Sequence, residues 1–184
     1  MSEKKIKRVV WKEDAVLNVQ LSPQLFTLAQ MRKNHLMQFF DVFNENGLWI
    51  NTDLNRIDPL FCIFVAEQKL RPLLVEKLEE NDVKPNQRPV PTKMISYRFS
   101  GDGHSQADLI NLDDSYSSVE GVVLQKGLHI INDLETIYNH EYVGMVGDPE
   151  KLRKRLIRCF ETGVNWDDSK EFIFKGIKLP SAKK

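Results

Sequence analysis

A chain of 184 residues, in which 26 lysines and arginines balance 26 aspartates and glutamates, carries no formal net charge. Its 41% hydrophobic and 28% charged residues are the composition of a folded globular protein and exclude a disordered chain. Zero charge removes the whole-molecule field that draws a protein to nucleic acid or to an anionic membrane, so neither is expected as a partner.

Cys62 and Cys159 stand in apolar surroundings and read as buried free thiols rather than a disulfide framework or a metal pair. Residues 1–12 hold no apolar stretch of signal-peptide type, and no run approaches the ~20 apolar residues that span a bilayer. A cytoplasmic protein is expected.

In chain order, Leu17, Val19 and Leu21 alternate with Asn18 and Gln20, which predicts a half-buried strand within 9–21, broken by Ser22-Pro23. Residues 25–31 and 36–43 flank the polar Arg32-Lys33-Asn34 and predict a hairpin whose Phe39, Phe40 and Phe43 enter the core. Asn44-Glu45-Asn46-Gly47 is a turn. The continuous apolar run 60–65 predicts a central strand covered on both faces, and 73–78 a further strand. Residues 81–91 carry Pro85, Pro89 and Pro91 and read as a loop, a joint between two β-rich halves of a single domain spanning 1–184. Residues 94–99 alternate again, and 133–142 suggest a short helix.

The clearest helix follows. Asp148 caps it, Pro149 suits its first position, and Glu150 faces the positive end of its dipole. Leu152, Leu156, Cys159 and Phe160 form an apolar stripe, with Lys151, Lys154, Arg155 and Arg158 on the opposite, solvated face. Gly163 terminates it. Residues 171–179 read as a final strand. The fold class expected is α+β: β-rich, a mostly antiparallel twisted sheet or partly open barrel, with one clear C-terminal helix.

No residue pattern assigns catalysis, a metal or a cofactor. His35, His104, His129 and His140 lack the three- or four-residue spacing of a helical metal pair. Asp102-Gly103-His104-Ser105 gathers an acid, an imidazole and a hydroxyl, but triad members must converge from different directions, so the segment reads as a solvated loop. His129 alternates with apolar residues and reads as a core histidine. Gly144-Met145-Val146-Gly147 lacks the lysine and the serine or threonine of a phosphate loop. One segment suits protein capture: Asp113, Asp114 and Glu120 surround Tyr116, an acidic, aromatic-bearing loop complementary to a basic protein surface. Asp113, Asp114, Tyr116 and Glu120 are therefore the partner-binding residues expected from sequence.

Residues 10–21, from Val10-Trp11-Lys12-Glu13-Asp14 through Leu21, resemble the opening of bacterial immunity-protein family twenty-six, with Glu13 where that family has glycine. The segments 25–31 and 36–43 resemble its second and third strands. Pro89-Val90-Pro91 fits its proline-rich joint. The resemblance covers residues 6–100. It implies a cytoplasmic protein, not an enzyme, that binds and occludes a cognate toxin domain of a polymorphic or contact-dependent system. The alternative is a small phosphotriesterase-like hydrolase, which requires a metal-activated hydroxide.

Overall fold

The computed structural model describes residues 6–99, 105–117 and 121–182. It divides into two compact units. The first is built from residues 6–90 with Met145–Asn165, the second from Pro91–Gly144 with Trp166–Ala182.

Within residues 6–90 lie strands β1 (Val16–Ser22), β2 (Leu25–Met31), β3 (Leu36–Asn44), β4 (Thr52–Asp53) and β5 (Pro59–Phe64). The single-turn helix α1 (Glu67–Leu70), β6 (Leu74–Lys77) and β7 (Val83–Lys84) complete the segment. An open antiparallel sheet runs β5-β3-β2-β1-β6, and β4 pairs with β7 in parallel. The meander β1–β3 follows the sequence closely. Pro23-Gln24 turns the first hairpin, and a 3₁₀ turn at Lys33–His35 closes the second, with Asn34 and His35 at positive φ. Thr27 bridges an irregularity between β2 and β3: its hydroxyl donates to the carbonyls of Phe40 (3.2 Å) and Val42 (2.8 Å).

In the second unit, β8 (Lys93–Phe99) and β9 (Ser105–Asn111) form an antiparallel hairpin. β10 (Val122–Gln125) borders β9. After α2 (Leu134–Asn139), β11 (Glu141–Tyr142) lies parallel to β8, giving β10-β9-β8-β11. The chain then returns to the first unit for α3 (Pro149–Thr162) and to the second for α4 (Ser169–Ile173). The whole is strand-rich α+β, and among the described residues no helix is long and apolar enough to cross a membrane.

Side-chain alternation gives the five-stranded sheet two faces, and both are buried. Leu17, Val19, Ala29, Met31, Met37, Phe39, Phe61 and Ile63 share one face and cluster with Leu152, Leu156 and Cys159 of α3. Val16, Phe26, Leu28 and Phe40 occupy the other and cluster with Trp49, Leu54 and Val83. The expectation of a half-buried β1 is thus corrected. Asn18 is as buried as its apolar neighbours, because residues 47–57 and 83–90 cover the second face. The strand after Pro59 is covered on both faces but stands at the sheet edge beside β3, not at its centre. Its neighbour on the open side is a bridge from Val65 to Val146, with Val146 N–H donating to Phe64 O (2.8 Å).

Helix α3 begins and ends where its residues dictate. The Asp148 carboxylate accepts from the N–H groups of Glu150 (2.9 Å) and Lys151 (3.1 Å). Gly163 takes φ +69° and donates to Cys159 O (2.9 Å). Two face assignments change. Arg155, expected in solvent, is only 6% exposed. Its guanidinium lies 3.8 Å from the Phe61 ring centroid, and Nε and Nη2 donate to Asn165 Oδ1 (2.8 and 2.6 Å). It borders Leu156 and Leu152 on the helix, so its aliphatic stem covers apolar surface while the head stacks on an aromatic. Phe160, expected in the core, is 42% exposed and meets Phe43 at 5.1 Å between ring centroids.

The predicted final strand over 171–179 is absent: α4 ends at Ile173, and a turn with Gly176 at φ +79° leads into irregular chain. Lys170, Phe174 and Ile177 are the buried positions, while Phe172 projects to solvent. Lys170 Nζ donates to Ile137 O (2.8 Å), which ties α4 to α2.

Truncation of Leu156, which is fully buried, is expected to cost about 2–5 kcal/mol, and of half-exposed Phe160 clearly less. Urea unfolding of Leu156→Ala and Phe160→Ala measures both, and a change below about 0.5 kcal/mol for Leu156→Ala contradicts the placement of α3.

Candidate functional site

The second face of the sheet brings uncharged amides into the interior. Gln30 and Gln38 stand opposite each other on β2 and β3 and are buried, as is Asn18 on β1. Burying such groups is tolerable only when each finds a partner. Gln30 receives the Asn86 N–H on Oε1 (2.8 Å) and donates Nε2 to Asn86 O (3.1 Å) and Asp14 Oδ1 (2.8 Å). Gln38 Oε1 accepts Asn86 Nδ2 (3.0 Å). Arg32 Nη2 donates to Arg88 O (2.9 Å), and Arg88 reaches the carbonyls of Leu54 and Ile57. Residues 83–90 are therefore a strap fastened across the sheet, and the two compact units part in the chain at its end, between Val90 and Pro91.

Asn18 fastens a second segment. Its Nδ2 donates to Gly47 O (2.9 Å) and its Oδ1 accepts Trp49 Nε1 (3.0 Å). Asn44 Oδ1 accepts Gly47 N–H (2.8 Å), Asn44 Nδ2 donates to Leu48 O (2.8 Å), and Leu48 N–H donates to Asn46 Oδ1 (3.0 Å). Gly47 is required here: it sits at φ +67°, and a Cβ would lie 2.9 Å from the Phe26 ring. With Trp49 turned inward, the flanking Leu48 and Ile50 project outward, 69% and 76% exposed.

The rim beside this loop is acidic. Thr52 N–H donates to Asp82 O (3.0 Å) and Thr52 pairs with Val83, which seats the turn 79–82 next to the loop. Glu79, Glu80 and Asp82 are exposed on that turn. A cleft of about 280 Å³ continues from it, lined by Glu13, Asp14, Glu79 and Glu80 together with Lys12 and Lys77. Asp53 at the strap is held below the usual carboxylate range by the hydrogen bond from the Asn55 side chain, then by the Asn55 backbone N–H, with Lys84 and Arg56 adding attraction.

The sequence-predicted residues lie in the second unit. Asp113 is turned to its own loop: its carboxylate accepts from Ser115 Oγ (2.9 Å) and Ser117 N–H (2.7 Å). Asp114 is exposed, and Tyr116 is half-buried at φ +58°. Glu120 lies outside the described residues, as does His104. Nearby, Asp108 is buried. Burial opposes its charge, but the bonds from Arg98, Gly127 N–H and Gln106 outweigh it and hold its carboxyl below the usual range.

The remaining histidines serve local structure. His35 faces Glu67 (3.4 Å) and the Trp11 ring (5.0 Å between centroids), and His140 Nδ1 is 2.8 Å from Thr136 O. His129, expected in the core, is exposed: the turn after β10 buries Leu128 instead, while His129 N–H donates to Asp133. Among the described residues no group of three or more histidines, cysteines and carboxylates is placed to hold a metal ion.

In the sequence residues 44–47 read only as a turn and nothing marked 44–51 as a site, although one signal was present. The strands of residues 16–40 carry no charged residue, and on a solvated face alternating polar positions are more often charged than amide.

Residues 6–179 match a family model described as a domain of unknown function, DUF8309. No curated protein and no solved structure matches the chain.

Asn18→Ala leaves Trp49 Nε1 and Gly47 O without their partner. It is expected to cost about 1–3 kcal/mol and to speed amide exchange at residues 47–49 first. Unchanged exchange there would show that the loop is held by other means. For Asp108 the folded pKa is lowered, so its contribution to stability is present above the unfolded value and is lost as pH falls through the folded one. Urea midpoints should drop below about pH 4, and Asp108→Asn should flatten that drop while lowering stability at pH 7.

Proposed function

The chain belongs to the DUF8309 family, and we propose that it is a protein-binding module of the immunity type, which captures a cognate toxin domain and blocks it by occlusion. The observation that carries this reading is the loop at 44–51. Asn18, Asn44 and Asn46 hold a short irregular segment in one conformation through five hydrogen bonds. What that fixed segment offers to solvent is a pair of large apolar side chains, Leu48 and Ile50. Apolar anchors held in place before binding lose little conformational entropy on association, the property expected of a protein-contact surface. The resemblance of residues 10–43 to an immunity-protein family supplies the kind of partner. The acidic loop with Asp113, Asp114, Tyr116 and Glu120 belongs to the proposal as a second contact region, with Asp114 rather than Asp113 as its outward carboxylate.

The expected outcome is rescue: cells expressing the genetically linked toxin domain survive when this chain is co-produced. The purified pair should form a 1:1 complex of nanomolar or tighter dissociation constant, about −12 kcal/mol. Toxin-expressing cells that die equally with and without the chain would rule the assignment out.

A further inference from the structure

We propose that Leu48 and Ile50, with the carboxylates of Glu79, Glu80 and Asp82 beside them, form the docking surface for a basic protein partner. This assignment rests on the binding role proposed above and adds the address and the partner's chemistry. Two independent features meet at one place. The apolar pair is presented by a loop whose tryptophan and carbonyls are anchored to the sheet through Asn18. The acidic turn is tied to the end of the same loop by the Thr52–Asp82 hydrogen bond and the β4–β7 pairing. The turn itself is closed, with the N–H groups of Asp82 and Val83 both donating to Glu79 O (3.0 Å each). Anchors and charges therefore move as one body.

The charge of this rim selects the partner. The chain as a whole is neutral, but Glu79, Glu80 and Asp82 stand exposed on one turn and Glu45 is exposed on the loop. Of the cations flanking the turn, Lys84 faces Asp53 at 4.0 Å. Lys77 and Lys12 line one cleft with Glu13, Asp14, Glu79 and Glu80, so carboxylates outnumber cations there. An exposed apolar pair bordered by carboxylates fits a partner that offers an apolar pocket flanked by lysine or arginine. Leu48 and Ile50 would govern dissociation, and the carboxylates would govern association and its salt dependence.

The probe is a synthetic amphipathic leucine–lysine peptide, with its leucine–glutamate counterpart as control, titrated into the full chain and followed by backbone amide shifts. The lysine peptide should perturb residues 44–52 and 79–84, and the glutamate peptide should not bind. Leu48→Ser with Ile50→Ser should weaken binding about tenfold or more while leaving urea stability unchanged, because both side chains are already exposed. Glu79→Lys with Glu80→Lys should weaken it and flatten its salt dependence. Shifts centred elsewhere, equal binding of both peptides, or unaltered affinity in the variants overturns the surface. The toxin-rescue assay reads the functional assignment separately. A peptide footprint on the loop with no rescue overturns the immunity role and leaves the surface standing. Rescue that survives the serine and lysine substitutions overturns the surface and leaves the role.

Discussion

The first unit depends on one constraint: the second face of its sheet is lined by amides and must nevertheless be buried. Gln30, Gln38 and Asn18 each offer donors and acceptors that β-pairing cannot use. Left under an apolar cover, each would cost about 1–3 kcal/mol. The cover is therefore not a helix, whose backbone groups are already paired, but irregular chain with free carbonyls and N–H groups. Residues 47–49 and 86–88 supply them. The two faces of one sheet thus take different covers: α3 with its apolar stripe on one, hydrogen-bonded straps on the other.

That choice of cover has a consequence at the surface. A strap held by side chains at a few points has its remaining residues free to face outward. Between Gly47 and Thr52, Trp49 is the only side chain drawn into the core, so Leu48 and Ile50 are displayed without the loop being loose. The same logic places the acidic turn, since β7 and the strap that follows it fix where residues 79–82 emerge. Position and rigidity of the proposed docking surface follow from the need to satisfy buried amides on the far side of it.

In the second unit, local carboxylates do comparable work. Asp108 gathers Arg98, Gln106 and the Gly127 N–H, and Asp133 takes the His129 N–H and Gln125. The bonds from His129 N–H and then Gln125 hold Asp133 below the usual carboxylate range. Asp113 ties its own turn by accepting from Ser115 Oγ and Ser117 N–H. Acidic residues that looked like contact groups in the sequence are in part the ties of the loops that carry them.

Local chemistry alone determined the elements whose signals are local. The β1–β3 meander follows from period-two alternation broken at Ser22-Pro23 and Arg32-Lys33-Asn34. The ends of α3 follow from Asp148, Pro149 and Gly163, because capping needs no partner beyond the helix itself. Tertiary structure decided what depends on a distant surface. Arg155 is buried because Phe61 and Asn165 lie beneath it, and residues 171–179 pair with no strand because α4 and the turn after it bring Lys170, Phe174 and Ile177 to buried positions in the second unit. Asn18, Gln30 and Gln38 faced water or protein with equal plausibility in the sequence, since an amide is satisfied by either. Which one it meets is set by segments some 30 to 56 residues away in the chain, and no local pattern carries that information.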